Sequence, residues 1–238
     1  MDERRNLPPA FTSALSRREL ILVLSWIPMH LVLLPLLFNT LGARGLIQEA
    51  AANFLYYALG FAYMVAVGFR FLRRDFDPLA DRPFYVLSTV CASYLMMMAC
   101  NGLMAFLILQ FLPETENPNN AAITDMVTTS FGVMKATLVF LGPLVEEMMF
   151  RAGVFGLFRR RGRALAYGAS MLFFALYHVW AYALRDPVYW LYLLQYLPAG
   201  WLLCRCYERT NSIWGSTFFH MMVNGIAVNT ISALQELM

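Results

Sequence analysis

Six stretches of this 238-residue chain contain no Asp, Glu, Lys or Arg: 20–43, 50–69, 83–113, 164–184, 187–204 and 210–235, each 18 to 31 residues long. The hydrocarbon core of a bilayer is about 30 Å thick, so a helix needs roughly 20 apolar residues to cross it. Each stretch is of spanning length. A seventh apolar stretch, about 126–158, is interrupted by Lys135, Glu146, Glu147 and Arg151. Within lipid every backbone polar group must be satisfied internally, which leaves helices and closed barrels. The polar–apolar alternation of a barrel strand is absent. The sequence therefore predicts an all-α transmembrane bundle of about seven spans. Composition agrees, with 60% hydrophobic and 14% charged residues against about 25% charged in soluble domains. An ordinary soluble enzyme, a disordered chain and a nucleic-acid binder are excluded together. Four cysteines in apolar surroundings do not make a disulfide scaffold.

With seven spans the connecting segments alternate sides, and basic residues select the orientation. One side receives fourteen of the 18 basic residues: Arg4, Arg5, Arg17 and Arg18, then Arg70, Arg73, Arg74 and Arg82, then Arg159, Arg160, Arg161 and Arg163, then Arg205 and Arg209. The other side receives Arg44 and Arg185 and the acidic loop 113–118. This asymmetry predicts a multi-pass protein of the cell membrane with a cytoplasmic N-terminus. Residues 1–19 read as a cytoplasmic segment and 20–238 as one transmembrane domain. Residues 20–43 offer no convincing small-residue cleavage site and read as a retained first helix. Pro28 and Pro35 should bend that helix, Asn101-Gly102 marks a break in the long third span, and 121–135 reads as a short amphipathic helix at the outer surface.

Ionisable groups inside a span are costly and mark function by default. Three spans carry them: Leu144-Val-Glu-Glu-Met-Met-Phe-Arg151, Phe173-Phe-Ala-Leu-Tyr-His178 and Phe219-His-Met-Met-Val-Asn224. At about 100° per residue, Glu147 and Arg151 lie about 40° apart on one helix and can pair. Glu146, about 140° from Arg151, is left over for chemistry. His220 and Asn224 share a face, as do Phe174 and His178. At about 1.5 Å per residue, Glu146 lies about 20 Å from the basic side, His178 and Asn224 about 22 Å, and His220 about 16 Å. One carboxylate, two imidazoles and one carboxamide thus reach a common depth. They form a hydrolytic set in which Glu146 and His178 activate water and His220 and Asn224 stabilise an oxyanion. No Ser or Cys stands at motif spacing as a nucleophile, and the His-Glu-x-x-His zinc helix is absent. A catalytic zinc on Glu146, His178 and His220, with Glu147 as base, is the alternative.

Glu-Glu-x-x-x-Arg, Phe-x-x-x-His and His-x-x-x-Asn, in this order and each in its own apolar helix, resemble the CPBP family of intramembrane proteases. That family includes type II CAAX prenyl endopeptidases and bacterial bacteriocin-processing and abortive-infection relatives. The resemblance covers about residues 122–235. It implies peptide-bond hydrolysis at or within the membrane of what would be a bacterial protein, acting on a peptide or membrane-protein substrate; no cofactor is expected unless the zinc alternative holds. It implies Glu146 and His178 at the water, His220 and Asn224 at the oxyanion, and Glu147, Arg151 and Phe174 in support. A prenylated substrate is not implied.

The remaining polar residues have plainer readings. The Glu147–Arg151 pair can simply tie helices together, and His30, without a partner motif, reads as structural. Asn101 and Asn229 read as interhelical hydrogen-bonders, the Met pairs and triplet as packing, and Cys204 and Cys206 as reduced thiols. A non-proteolytic membrane scaffold or immunity factor remains the competing class of function.

Overall fold

The computed structural model describes residues 11–112 and 116–235. Arg4 and Arg5, with Pro113, Glu114 and Thr115 of the acidic loop, lie outside that range. The described residues form seven long helices: α1 (Arg17–Ala43), α2 (Glu49–Arg74), α4 (Pro83–Phe111), α5 (Pro118–Arg159), α6 (Arg163–Ala183), α7 (Leu193–Thr210) and α8 (Ile213–Gln235). A single short turn, α3 (Asp77–Asp81), joins α2 to α4. The expected all-α bundle is what the chain forms.

Five of the long helices, α1, α2, α4, α5 and α6, are long and apolar enough to cross a membrane. The last two are not, by the same measure, and the reason lies in their sequence. The charge-free stretch 187–204 begins with a 3₁₀ segment, Pro187–Tyr192, capped by the Asp186 carboxylate. Helix α7 therefore starts only at Leu193 and runs on through Arg205, Glu208 and Arg209. In α8 the apolar run is broken by His220, Asn224 and Asn229. Two other expectations also change. Helix α4 passes through Asn101-Gly102 without a break. The short helix expected over 121–135 has other bounds: it begins at Pro118 under an Asn117 cap and ends at Ser130, whose backbone leaves the helical region, and the rest of α5 follows directly.

Residues of α5 from Gly142 to Phe155 are all buried, and this segment touches α1, α2, α6, α7 and α8. A helix apolar on every side belongs at a bundle centre, and here the same segment carries Glu146, Glu147 and Arg151.

Prolines set the register of two helices in the same manner. In α1 the turn Met29–Leu33 is a π-turn, with the Leu34 N–H donating to the Met29 carbonyl. Continuing that register would pair residue 35 with His30, but Pro35 has no N–H. The Tyr56 hydroxyl of α2 supplies the missing donor to the His30 carbonyl at 2.9 Å. In α5 the turn Thr137–Leu141 is likewise π, with the Gly142 N–H on the Thr137 carbonyl. Pro143 then leaves the Leu138 carbonyl without its donor, and the Asn224 carboxamide of α8 donates to it at 2.9 Å. Buried carbonyls require a partner, so each proline fixes which neighbouring side chain must approach.

One end of the bundle gathers the segments that the charge pattern assigned to a common side. The Asn211 side chain, on a left-handed residue, accepts from the Thr12 and Ser13 N–H groups at 2.7 and 3.0 Å. Buried Asp75 accepts from the Ser13 hydroxyl at 2.5 Å and the Ile213 N–H at 2.8 Å. Glu208 pairs with Arg159 and Arg163. At the opposite end Asn117 donates to Gln195 at 2.7 Å. Cys204 and Cys206 are buried free thiols.

Helices α6 and α7 pack closely at Gly200, where a Cβ would lie 3.0 Å from the Met171 Cα and 3.3 Å from its carbonyl oxygen. Small residues allow such approach in membrane bundles. Gly200→Leu should force the two helices apart and cost about 1–3 kcal/mol. Thermal unfolding of the purified protein in detergent checks this; an unchanged midpoint would contradict it.

Candidate active site

Two glutamates side by side on a buried helix cannot both go uncompensated, since several kcal/mol are lost per unpaired buried ion. Arg151 Nη1 lies 3.1 Å from the Glu147 Oε1 as an ion pair, with both side chains fully buried. The same Oε1 accepts from His220 Nδ1 at 3.0 Å. Arg151 lies 4.4 Å over the Phe174 ring and reaches the Gly200 carbonyl at 3.4 Å. The predicted i, i+4 pair is therefore formed, and Phe174 is its aromatic platform.

Glu146, one residue earlier, points elsewhere. Its Oε2 is buried and has no hydrogen-bond partner among the described residues. His220 Nε2 and His178 Nε2 face it at 3.8 and 3.9 Å. These gaps are too wide for direct hydrogen bonds, and polar contacts beyond 3.5 Å are ones that a water can mediate. Glu146, His220 and His178 each retain a little accessible surface, 8, 7 and 14% of their side chains, whereas Glu147 and Arg151 retain none. A substrate can therefore touch the first three and not the ion pair behind them.

The hydrogen bonds also assign the imidazole protons. A carbonyl only accepts, so His178 Nδ1, 2.9 Å from the Phe174 carbonyl, must carry hydrogen. In the neutral ring Nε2 is then a bare acceptor aimed toward Glu146. The His178 ring is stacked on Tyr196, with centroids 4.5 Å apart at 22°. The Tyr196 hydroxyl in turn accepts from the Asn117 and Asn119 carboxamides at 3.2 and 3.0 Å. His220 Nδ1 donates to Glu147, which turns its Nε2 toward the same point.

The structure thus brings Glu146, His178 and His220 together and sets Glu147, Arg151 and Phe174 directly behind them. Asn224 lies one turn along α8 from His220, with its carboxamide spent in part on the Leu138 carbonyl. Sequence reading missed the aromatic surround: Tyr57, Tyr177 and Tyr196 carry no charge and stand in no motif. It also left His30 without partners, although that ring is buried and its Nε2 lies 3.3 Å from the Tyr177 hydroxyl.

For a four-coordinate zinc, ligand bonds of about 2.0–2.1 Å at a tetrahedral angle require donor atoms roughly 3.3 Å apart. The observed separations of 3.8 and 3.9 Å from the shared Glu146 oxygen are wider. No group of three His, Cys, Asp or Glu side chains among the described residues is placed to hold a metal ion.

Residues 128–226 match the family described as type II CAAX prenyl endopeptidase Rce1-like. The matched segment contains all three motifs. Among curated proteins, the chain is 30% identical over 114 residues to the "Putative membrane peptidase YdiL" of Bacillus subtilis (strain 168), covering 48% of this chain and 43% of that protein. The chain thus matches less than half the length of that relative. No solved structure matches it.

Removing one member of a buried ion pair leaves the other charge stranded, at a cost of about 3–5 kcal/mol, whereas removing both is far milder. Arg151→Met should therefore lower the unfolding midpoint in detergent sharply. Arg151→Met combined with Glu147→Gln should recover much of the loss. Equal destabilisation by the single and double variants would show that the pair does not carry this role.

Proposed function

We propose that this protein is an intramembrane endopeptidase that hydrolyses peptide bonds with a water held between Glu146 and the two imidazoles. The observation that carries the proposal is the unpartnered Glu146 oxygen facing His178 and His220 at 3.9 and 3.8 Å in a nearly closed site. The match of residues 128–226 to a prenyl endopeptidase family and the likeness to a bacterial protein named as a membrane peptidase support the same class.

In the reaction, water donates one hydrogen toward Glu146 Oε2 and the other toward His178 Nε2. As its oxygen attacks the scissile carbonyl, the proton passes to Glu146. The carbonyl oxygen becomes an oxyanion and accepts hydrogen bonds from His220 Nε2–H and from the Asn224 N–H not committed to Leu138. Such a His220 donates through both nitrogens and carries a positive charge; Glu147 accepts from its Nδ1, and Glu146, the carboxylate left over once Arg151 pairs with Glu147, balances that charge. Collapse of the tetrahedral intermediate breaks the C–N bond, and the proton held by Glu146 moves to the departing amine. Phe174 supports this set through its carbonyl on His178 and its ring under Arg151. The reaction so drawn uses no metal. Its substrate is a peptide or membrane protein that enters from the bilayer, and the N-terminus faces the cytoplasm with the basic loops.

Comparison of membrane and secreted peptides from cells carrying wild-type or Glu146→Gln protein tests the proposal. A set of peptides should vanish with the variant while membrane insertion persists. Loss of a positioned general base slows turnover by about a hundredfold or more. A peptide inventory identical in the two strains would refute proteolysis and favour the scaffold or immunity class. Peptide release should also survive chelators; stoichiometric zinc in the purified protein, with activity lost on its removal, would replace the water–glutamate scheme with the zinc scheme.

A further inference from the structure

The helices that carry no family motif also reach the site. Tyr57 of α2 packs its ring against Gly142, where a Cβ would lie 3.4 Å from Tyr57 Cε1. Gly142 and Glu146 are i, i+4 and share a helix face, which sets the Tyr57 ring beside the turn that carries Glu146, and the two side chains act on each other electrostatically. The Tyr57 hydroxyl lies 3.1 Å from the Tyr177 hydroxyl of α6. Tyr177 in turn lies 3.3 Å from His30 Nε2 of α1. His30 is itself fixed from both sides: its ring stacks on Tyr56 with centroids 4.3 Å apart, and its carbonyl takes the Tyr56 hydroxyl at 2.9 Å.

Donor and acceptor capacity gives this row a direction. If Tyr57 spends its single hydrogen on the Glu146 carboxylate, it must accept from Tyr177. Tyr177, having then spent its own, must accept from His30 Nε2–H. That leaves His30 Nδ1 as a bare acceptor, and it has no partner among the described residues. A stranded acceptor is less costly than a stranded N–H donor. The opposite direction would turn the Tyr57 lone pairs on a carboxylate that has only lone pairs to offer.

We propose that His30, Tyr177 and Tyr57 form a hydrogen-bonded chain that positions Glu146, engaging one carboxyl oxygen so that the other faces the two imidazoles. The chain rests on the endopeptidase reading for its purpose but not for its existence. Its members are positioning residues, because none stands between Glu146 and the histidines. Hydrogen bonds in a dry interior strengthen one another, which makes the far end of the chain felt at the carboxyl.

Infrared difference spectroscopy of the purified protein, held at a pH where Glu146 is protonated, reads the contact without any substrate. The Glu146 carbonyl band is the one that Glu146→Gln abolishes. In Tyr57→Phe, which removes one oxygen and no packing, the band should move to higher frequency as the carbonyl loses its donor. Release of Glu146-dependent peptides should fall about tenfold, as expected for losing a hydrogen bond to a charged group. His30→Ala should shift both readouts in the same direction by a smaller amount. His30→Gln, which can present an N–H near the same place, should recover most of the His30→Ala loss. An unmoved band in Tyr57→Phe, or equal impairment by His30→Gln and His30→Ala, would overturn the chain. If no Glu146-dependent peptide exists, the endopeptidase reading fails, and the infrared band alone decides whether the chain is present.

Discussion

Glu146 and Glu147 lie inside an apolar bundle where each ionised carboxylate demands its own compensation, and the architecture follows from how differently the two are treated. Glu147 is neutralised on its own helix by Arg151 and tied across to His220. Both members of that pair are sealed from any surface. With one negative charge disposed of locally, the neighbouring residue can face the other way and keep an oxygen free. The ion pair acts less as a source of stability, which buried pairs seldom provide, than as a device that fixes α5 rotationally and anchors the α8 imidazole.

Prolines do the corresponding work on the backbone. Pro35 and Pro143 each follow a π-turn and each leave one carbonyl, that of His30 or Leu138, without a ladder partner. Tyr56 and Asn224 answer those carbonyls from neighbouring helices. Short π-segments recur at functional sites, and here the reason is visible. The extra residue in the turn frees a specific acceptor, and satisfying it pins a second helix in register. In α8 that places Asn224, and with it His220 one turn earlier. In α1 it places His30. An amide expected only at the oxyanion thus has a structural task as well.

How much of this the sequence disclosed depends on the kind of signal. Charge-free runs of spanning length and their basic flanks made the helical bundle legible, together with the grouping of segments at its two ends. Helical spacing made the Glu147–Arg151 pair legible, because i, i+4 geometry is local. The convergence of Glu146, His178 and His220 was legible through depth, since each lies at a similar helical distance from the basic residues that flank its own apolar run. What stayed hidden was non-local and uncharged. Tyr57, Tyr177 and Tyr196 look like ordinary apolar-helix residues until their hydroxyls are seen to meet other hydroxyls. The start of α7 at Leu193 was hidden too, because hydropathy cannot tell a 3₁₀ connection such as Pro187–Tyr192 from the first turns of a span.

The central claim is that Glu146 and His178 act on one water and therefore as one unit. A double-mutant cycle on the release of a Glu146-dependent peptide tests it most directly, using Glu146→Gln, His178→Ala and the combination. Groups that serve a single step lose their effects together. The account predicts a double variant no slower than the more impaired single variant, within about threefold. Losses that multiply would mean that the two side chains serve separate steps, and the shared-water site would be wrong.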